Sequence, residues 1–128
     1  MKTNERLAVF LIILATIGVL VGVFAIEKYR RGQLYTVQLT ARVPENGNWY
    51  PRQISVPAGE KVRIYIRNIE TITHGFAIPD FEVAVKEIKA GEVVVVEFTP
   101  DKKGTFPFMC TVWCSDHHLD MTGELIVE

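Results

Sequence analysis

Cys110, Cys114, His118 and Met121 all fall within residues 110–121, in the stretch Phe108-Met-Cys-Thr-Val-Trp-Cys-Ser-Asp-His-His-Leu-Asp-Met121, and His74 lies far upstream. Thiolate, imidazole and thioether form the soft-to-borderline donor set that selects copper among the first-row metals, whereas calcium or magnesium calls for oxygen ligands. Cys110 and Cys114 are the only two cysteines in the chain. A mononuclear blue-copper site uses one Cys with two His and a weak Met. Here the second Cys, four residues after the first, supplies another thiolate. Two copper ions can then share two bridging sulfurs, with His74 and His118 left as one terminal ligand each. The ligand count fits two coppers better than one.

Each of these residues has an ordinary alternative. Cys110 and Cys114 can close a local disulfide in an oxidising compartment. Zinc can be held by two Cys and two His, but Met121 then has no purpose. Met121 itself can be core packing, as buried methionines usually are. His74 can be a turn histidine, although it follows an alternating strand and precedes Gly75, where the site needs it. His117 adjoins His118, but the spacing favours His118, and His117 reads as exposed, with or without a role.

The elements that must carry these residues are strands. Tyr35, Val37, Leu39 and Ala41 alternate with polar positions, as do Val62, Ile64 and Ile66, then Phe81, Val83 and Val85. Val93 to Val96 is a continuous apolar run that suits a strand buried on both sides, and Gly123 to Val127 reads as the last strand. Turn signals separate them at Pro44–Gly47, Pro57–Glu60, Lys89–Glu92 and Pro100–Gly104. The echo between Val56-Pro-Ala-Gly-Glu-Lys-Val62 and Ile88-Lys-Ala-Gly-Glu-Val-Val94 reads as two hairpins using one turn chemistry. No helical period follows the first 32 residues, so residues 33–128 are expected to form one all-β sandwich. Cys110 would end the strand led by Gly104-Thr-Phe-Pro-Phe, Met121 would begin the next, and His74 would arrive from another loop. Fixed ligands on a rigid sandwich move little when the charge changes, which suits electron transfer.

Residues 1–32 are different. Leu7 to Ile26 carries no charge, and at about 1.5 Å per helical residue it reaches roughly the ~30 Å of a bilayer core. A cleaved signal peptide competes with this reading, since Val23 and Ala25 suit the small positions before a cleavage site, but the run exceeds the usual ~7–15 residues of a signal core. Basic residues flank both ends, so charge does not set the orientation. Ala15, Gly18, Gly22 and Ala25 fall on one helical face, a stripe that either lets another helix approach or merely tolerates glycine. The formal net charge of the chain is -1, which gives no footprint for nucleic acid. After residue 32 there are nine Lys/Arg against thirteen Asp/Glu, a net of −4, with Asp80, Glu82, Asp116 and Asp120 expected near the copper loops. Such a rim either steers a basic c-type cytochrome or is simply a soluble surface.

Cys-x3-Cys-x3-His-x2-Met, with the upstream His74-Gly-Phe76, resembles the binuclear CuA site of cytochrome c oxidase subunit II and of nitrous oxide reductase. The resemblance covers residues 34 to 128 and implies a cupredoxin Greek-key β-sandwich behind one N-terminal transmembrane helix. It implies that Cys110 and Cys114 bridge, that His74 and His118 are terminal ligands, that Met121 is a weak axial ligand to one copper, and that the backbone carbonyl of Val112 is the weak ligand to the other. A single span is similar to subunit II of the B-type haem-copper oxidases. The function so implied is electron transfer from a c-type cytochrome to haem in subunit I, at the outer, periplasmic face of the plasma membrane. A stand-alone anchored electron carrier and a copper chaperone are the alternatives. The chain itself would conduct electrons rather than perform oxygen chemistry, for no further metal-ligand set is left once these side chains are assigned.

Some positions depart from that pattern. The oxidases usually have an Asp three residues before the upstream His, where this chain has Thr71, with Glu70 one position off, which puts the tuning of His74 in question. Val112 stands where many oxidases place a Glu that reaches magnesium, so no magnesium is expected. Trp49 and Tyr50 are what remains of the aromatic patch used for cytochrome docking, and Trp113 and Thr73-His-Gly-Phe76 are similar to nitrous oxide reductase.

Overall fold

Alternating apolar residues bury one face of each strand, and the eight strands that result close over one shared core. The computed structural model describes residues 2–32 and 34–128. The strands are β1 (Tyr35–Ala41), β2 (Gln53–Val56), β3 (Val62–Asn68), β4 (His74–Ile78), β5 (Val83–Ile88), β6 (Val93–Phe98), β7 (Gly104–Met109) and β8 (Thr122–Val127). One sheet has the order β1-β3-β6 and the other β2-β8-β7-β4-β5. β1 and β3 are parallel, in the register Val37↔Ile64 and Leu39↔Ile66, and β3 and β6 are antiparallel through Ile64↔Val96. In the second sheet β2 and β8 are parallel, and β7 pairs antiparallel with β8 through Phe108↔Gly123. This is the sandwich that the alternation predicts.

Leu39, Val62, Ile64 and Ile66 from the first sheet meet Ile54, Phe76, Ile78, Phe108 and Leu125 from the second, all buried. The rings of Trp49, Phe76 and Phe108 pack at centroid distances of 5.5, 5.9 and 5.7 Å, edge to face or tilted. Such contacts add to plain area burial about 0.5–1.5 kcal/mol per pair. Phe76 lies two residues after His74 and Phe108 two before Cys110, so the aromatic cluster sits directly beneath the candidate ligands.

Three readings of the strands need correction. Val93 and Val95 are 51% and 49% exposed, because only the Val94, Val96 and Phe98 side of β6 faces the core. Phe81 belongs to a 3₁₀ turn, Pro79–Phe81, rather than to a strand. The two echoing segments are not hairpins: each carries the chain from one sheet to the other, β2 to β3 and β5 to β6. Both corners place a glycine at positive φ, Gly59 at 75° and Gly91 at 72°, a conformation that side chains with a Cβ resist.

The N-terminal unit is a helix, α1 (Thr3–Arg31), which ends the unit that precedes the β domain beginning at Leu34. The boundary drawn between residues 32 and 33 touches Gln33, which lies outside the described residues. Glu5 in the first turn accepts from the Lys2 amide at 2.8 Å and complements the helix dipole. Its apolar side chains are exposed along its length, and it is long and apolar enough to cross a membrane.

Candidate metal centre

At one end of the sandwich β7 finishes and β4 and β8 begin, and this is where the candidate ligands meet. Cys110 follows β7, and its amide donates to the Met121 carbonyl at 3.0 Å, which extends the β7–β8 ladder to the first and last residues of the loop. Within that loop, the 3₁₀ turn His118–Asp120 is closed by the Met121 amide donating to the His118 carbonyl at 3.0 Å. His74 opens β4 from the other side, and a bulge between His74 and Phe76 turns Gly75 toward the loop. The Gly75 amide lies 3.4 Å from the Cys110 sulfur. A Cβ on Gly75 would overlap the Thr111 hydroxyl, so this approach requires glycine.

All six residues singled out in the sequence converge. The Cys110 and Cys114 sulfurs are 4.0 Å apart. His74 Nδ1 lies 3.9 Å from the Cys110 sulfur, and His118 Nδ1 lies 3.5 Å from the Cys114 sulfur. The Met121 sulfur is 3.6 Å from Cys114, and the Val112 carbonyl oxygen is 3.3 Å from Cys110. The donor atoms of His74, Cys110 and Cys114 alone lie within 4.8 Å of one another. His74 and Met121 are fully buried, both cysteines nearly so, and His118 is half-exposed. Both thiols are free, since a disulfide needs about 2.05 Å between sulfurs.

This arrangement passes a test of fit for a soft metal. Metal–thiolate bonds are about 2.3 Å, so sulfurs 4.0 Å apart are within reach of a shared ion. Each sulfur also has its own imidazole. Nitrogen and sulfur dominate the cluster, which points to copper over the oxygen-seeking cations.

Glu70 settles how His74 is held. Its Oε2 lies 3.1 Å from His74 Nε2, which leaves Nδ1 facing Cys110. The position is one residue earlier than the expected Asp, and the extra methylene of Glu spans the difference. Glu70 is fixed in turn by the Val43 amide at 2.7 Å and by Asn46 Nδ2 at 2.6 Å. Burial works against its charge, but the hydrogen bonds from Asn46, the Val43 amide and His74 outweigh it and hold the carboxyl below the usual range. Beneath it, buried Asn68 donates to the carbonyls of Ile72 and Ile88 and accepts from the Glu70 amide, which shapes the β3–β4 loop.

The thiols are tuned apart. Burial, and then the neighbouring Cys110, push the Cys114 thiol up to about 12. Cys110 is buried too, yet hydrogen bonds from His74 and the Gly75 amide bring its thiol below the ordinary value. His74 is raised: burial opposes its charge, and contacts with Cys110 and Glu70 overcome that opposition.

Trp49 is not a docking residue. It is fully buried, and its Nε1 donates to the Met121 carbonyl at 3.2 Å. Asn48, at φ 64°, donates to the Asp120 carbonyl at 2.8 Å and accepts from the Trp49 amide. Together they clamp the C-terminal end of the metal loop from the β1–β2 connection. Nothing local in the sequence marks this role. On the metal loop the exposed aromatic is Trp113, 69% accessible, whose ring lies 5.8 Å from that of His118, with Leu119 at 85% on the same loop. Elsewhere, Tyr50 is exposed at 66%. His117 is exposed and 3.5 Å from Asp120. The expected acidic rim is only half present. Asp116 and Asp120 are on the metal loop, whereas Asp80 and Glu82 follow β4 at the end away from His74, where Asp80 pairs with Lys102 at 3.7 Å.

Comparison with known proteins bears on the fold. A family described as cupredoxin-like domain matches residues 13–127. The nitrous-oxide reductase of Ralstonia nicotianae is 34% identical over 102 residues, 77% of this chain, and the chain spans 15% of that protein's length. Cytochrome c oxidase subunit 2 of Thermus thermophilus is 30% identical over 80 residues, which cover 62% of this chain and 58% of the relative. A solved heme-copper terminal oxidase dimer contains a chain that superimposes with a TM-score of 0.62 at 22% identity, covering 98% of both chains. At that identity the likeness speaks for the fold alone. On the extent of the family match and the two-sheet architecture, the chain belongs to the cupredoxin-like domain family.

Proposed function

We propose that the chain is a membrane-anchored electron-transfer protein whose loop end holds a binuclear copper centre of the CuA type. The observation that carries this reading is the pairing of two free thiols 4.0 Å apart with one imidazole beside each, at 3.9 and 3.5 Å. Cys110, Cys114, His74 and His118 would hold the copper pair, with Met121 and the Val112 carbonyl as weaker donors. When bound, the copper pair supplies a one-electron redox couple whose charge change is spread over two metals.

The protein's own contribution is to prevent motion. Glu70 fixes the His74 ring, Trp49 and Asn48 pin the Met121 end of the loop, and the Trp49–Phe76–Phe108 cluster supports both from below. Burial of His74, both cysteines and Met121 keeps water from the donors, and half-exposed His118 beside Trp113 gives the centre one contact with the surface. Rigid ligands lower the rearrangement that accompanies each electron.

Within a complex, the chain serves as subunit II of a haem-copper terminal oxidase, taking electrons from a c-type cytochrome and delivering them to haem in subunit I. Similarity to the Thermus thermophilus subunit, and a helix able to cross the membrane, support this role. The copper domain then faces the periplasmic side. A second reading is an anchored carrier without a permanent catalytic partner; it draws on similarity shared between two different enzymes, nitrous-oxide reductase and the oxidase subunit. Purification of the tagged chain from native membranes separates them. A stoichiometric multi-span haem subunit is the expected companion, and a chain that purifies without haem would shift the assignment to the carrier.

A further inference from the structure

The outer face of the three-stranded sheet carries features the copper centre does not use. Register places Thr40, Arg67 and Val93 in one row across β1, β3 and β6, and Gln38, Tyr65 and Val95 in the next. Arg67 is exposed, and so are Val93 and Val95. Arg42 and Ile69, two residues beyond Thr40 and Arg67, continue the same face towards the metal end, and Tyr50 bridges to Thr40. Thr40, Arg42, Tyr50 and Ile69 line an open groove of about 420 Å³.

Arg42 is the anchor of that groove. Its guanidinium lies 5.8 Å from the centre of the Tyr50 ring, and its Nε is buried with no hydrogen-bond partner. Among the described residues it is the only buried side-chain nitrogen or oxygen left so. No ion pair forms to Arg42 or Arg67 among the described residues. Only the Nε is enclosed: Arg42 as a whole is half-buried, and a carboxylate is the group whose planar geometry matches a guanidinium. This cationic and apolar face stands out on a domain whose net charge is −4. It also adjoins the centre: the Val43 amide, next in the chain to Arg42, donates to the same Glu70 oxygen that holds His74.

We infer that this face docks an acidic redox protein, which places a carboxylate on Arg42 and aliphatic side chains across Tyr50, Ile69, Val93 and Val95. It is distinct from the Trp113 surface, where Asp116 and Asp120 give the opposite charge. The inference rests on the electron-transfer reading above, and extends it to a second partner of defined chemistry. The charge complementarity predicts attraction that salt weakens.

Stopped-flow mixing of the copper-loaded full chain in detergent with a reduced acidic c-type cytochrome, and in parallel with a basic one, tests it. For the double variant R42E/R67E the bimolecular rate with the acidic cytochrome is expected to fall about tenfold or more and to lose its decline with salt, while the rate with the basic cytochrome holds or rises. The milder Arg42→Gln gives a smaller loss in the same direction. The copper absorption and reduction by ascorbate stay unchanged in both variants, which shows that the centre is intact. Equal rates for wild type and variants with the acidic cytochrome, or an equal loss with both cytochromes, would overturn the proposal. So would a wild-type particle of twice the size that R42E/R67E splits, which assigns the face to a second copy. If ascorbate leaves the copper of the wild-type chain oxidised, the electron-transfer reading itself fails, and the docking face with it.

Discussion

Glu70 shows how one carboxylate governs a ligand it does not replace. By taking His74 Nε2 it leaves Nδ1 to the metal, and such outer partners are worth about 10–100-fold in metal affinity. Glu70→Gln is therefore expected to lower copper affinity in that range in a chelator competition, with little change in melting temperature; full affinity in the variant would remove Glu70 from the site. Proton release follows from the thiols. Copper takes thiolate and neutral imidazole, so binding must expel the proton from Cys114, whose thiol is pushed up to about 12. A thiol held that high keeps its proton across the neutral range, so the proton competes with the metal there. Apparent copper affinity should thus rise with pH, about tenfold per unit for each proton released, as measured by titration at several pH values with an indicator following proton release. A flat profile would contradict the donor assignment. The cluster was legible in the sequence because Cys110, Cys114, His118 and Met121 are brought together by spacing within one loop. The contact of Glu70 was not, because it depends on how the chain bends after Asn68, which no periodicity records.

At the scale of elements, the site depends on two strand junctions. The bulge at Gly75 brings an amide to the Cys110 sulfur, and Gly75→Ala would push β4 away from Thr111. A cost of about 1–3 kcal/mol is expected, read as a lower melting temperature together with a shifted copper absorption spectrum. Loss of stability with an unaltered spectrum would show that the bulge serves folding only. Trp49→Phe removes the bond to the Met121 carbonyl and should cost about 1–3 kcal/mol, with the same two readouts. Strand positions were legible wherever one face is buried, as in β1 and β3, since burial imposes a period of two. The run Val93–Val96 misled for the converse reason: apolar residues on the outward side of an edge strand mimic a strand covered on both faces. The corner segments misled because one glycine turn serves a hairpin and a sheet crossing equally well.

For the whole molecule, the helix and the sandwich are separate units, and a helix long and apolar enough to cross a membrane was legible from length and lack of charge alone. The full chain is expected to stay in the membrane pellet after an alkaline carbonate wash, and release into the supernatant would argue against a span. Which end of the sandwich holds the acidic rim was not legible, because the strand direction that sends Asp80 away from His74 is a property of the sheet order. What unites the account is that a two-sheet scaffold presents two sulfurs and two imidazoles as a matched set. Copper content per chain, measured with electron paramagnetic resonance on the oxidised full-length protein, tests that most directly. The account predicts two coppers per chain and one unpaired electron with hyperfine splitting shared equally between two copper nuclei. One copper per chain, with splitting from a single nucleus, would contradict it.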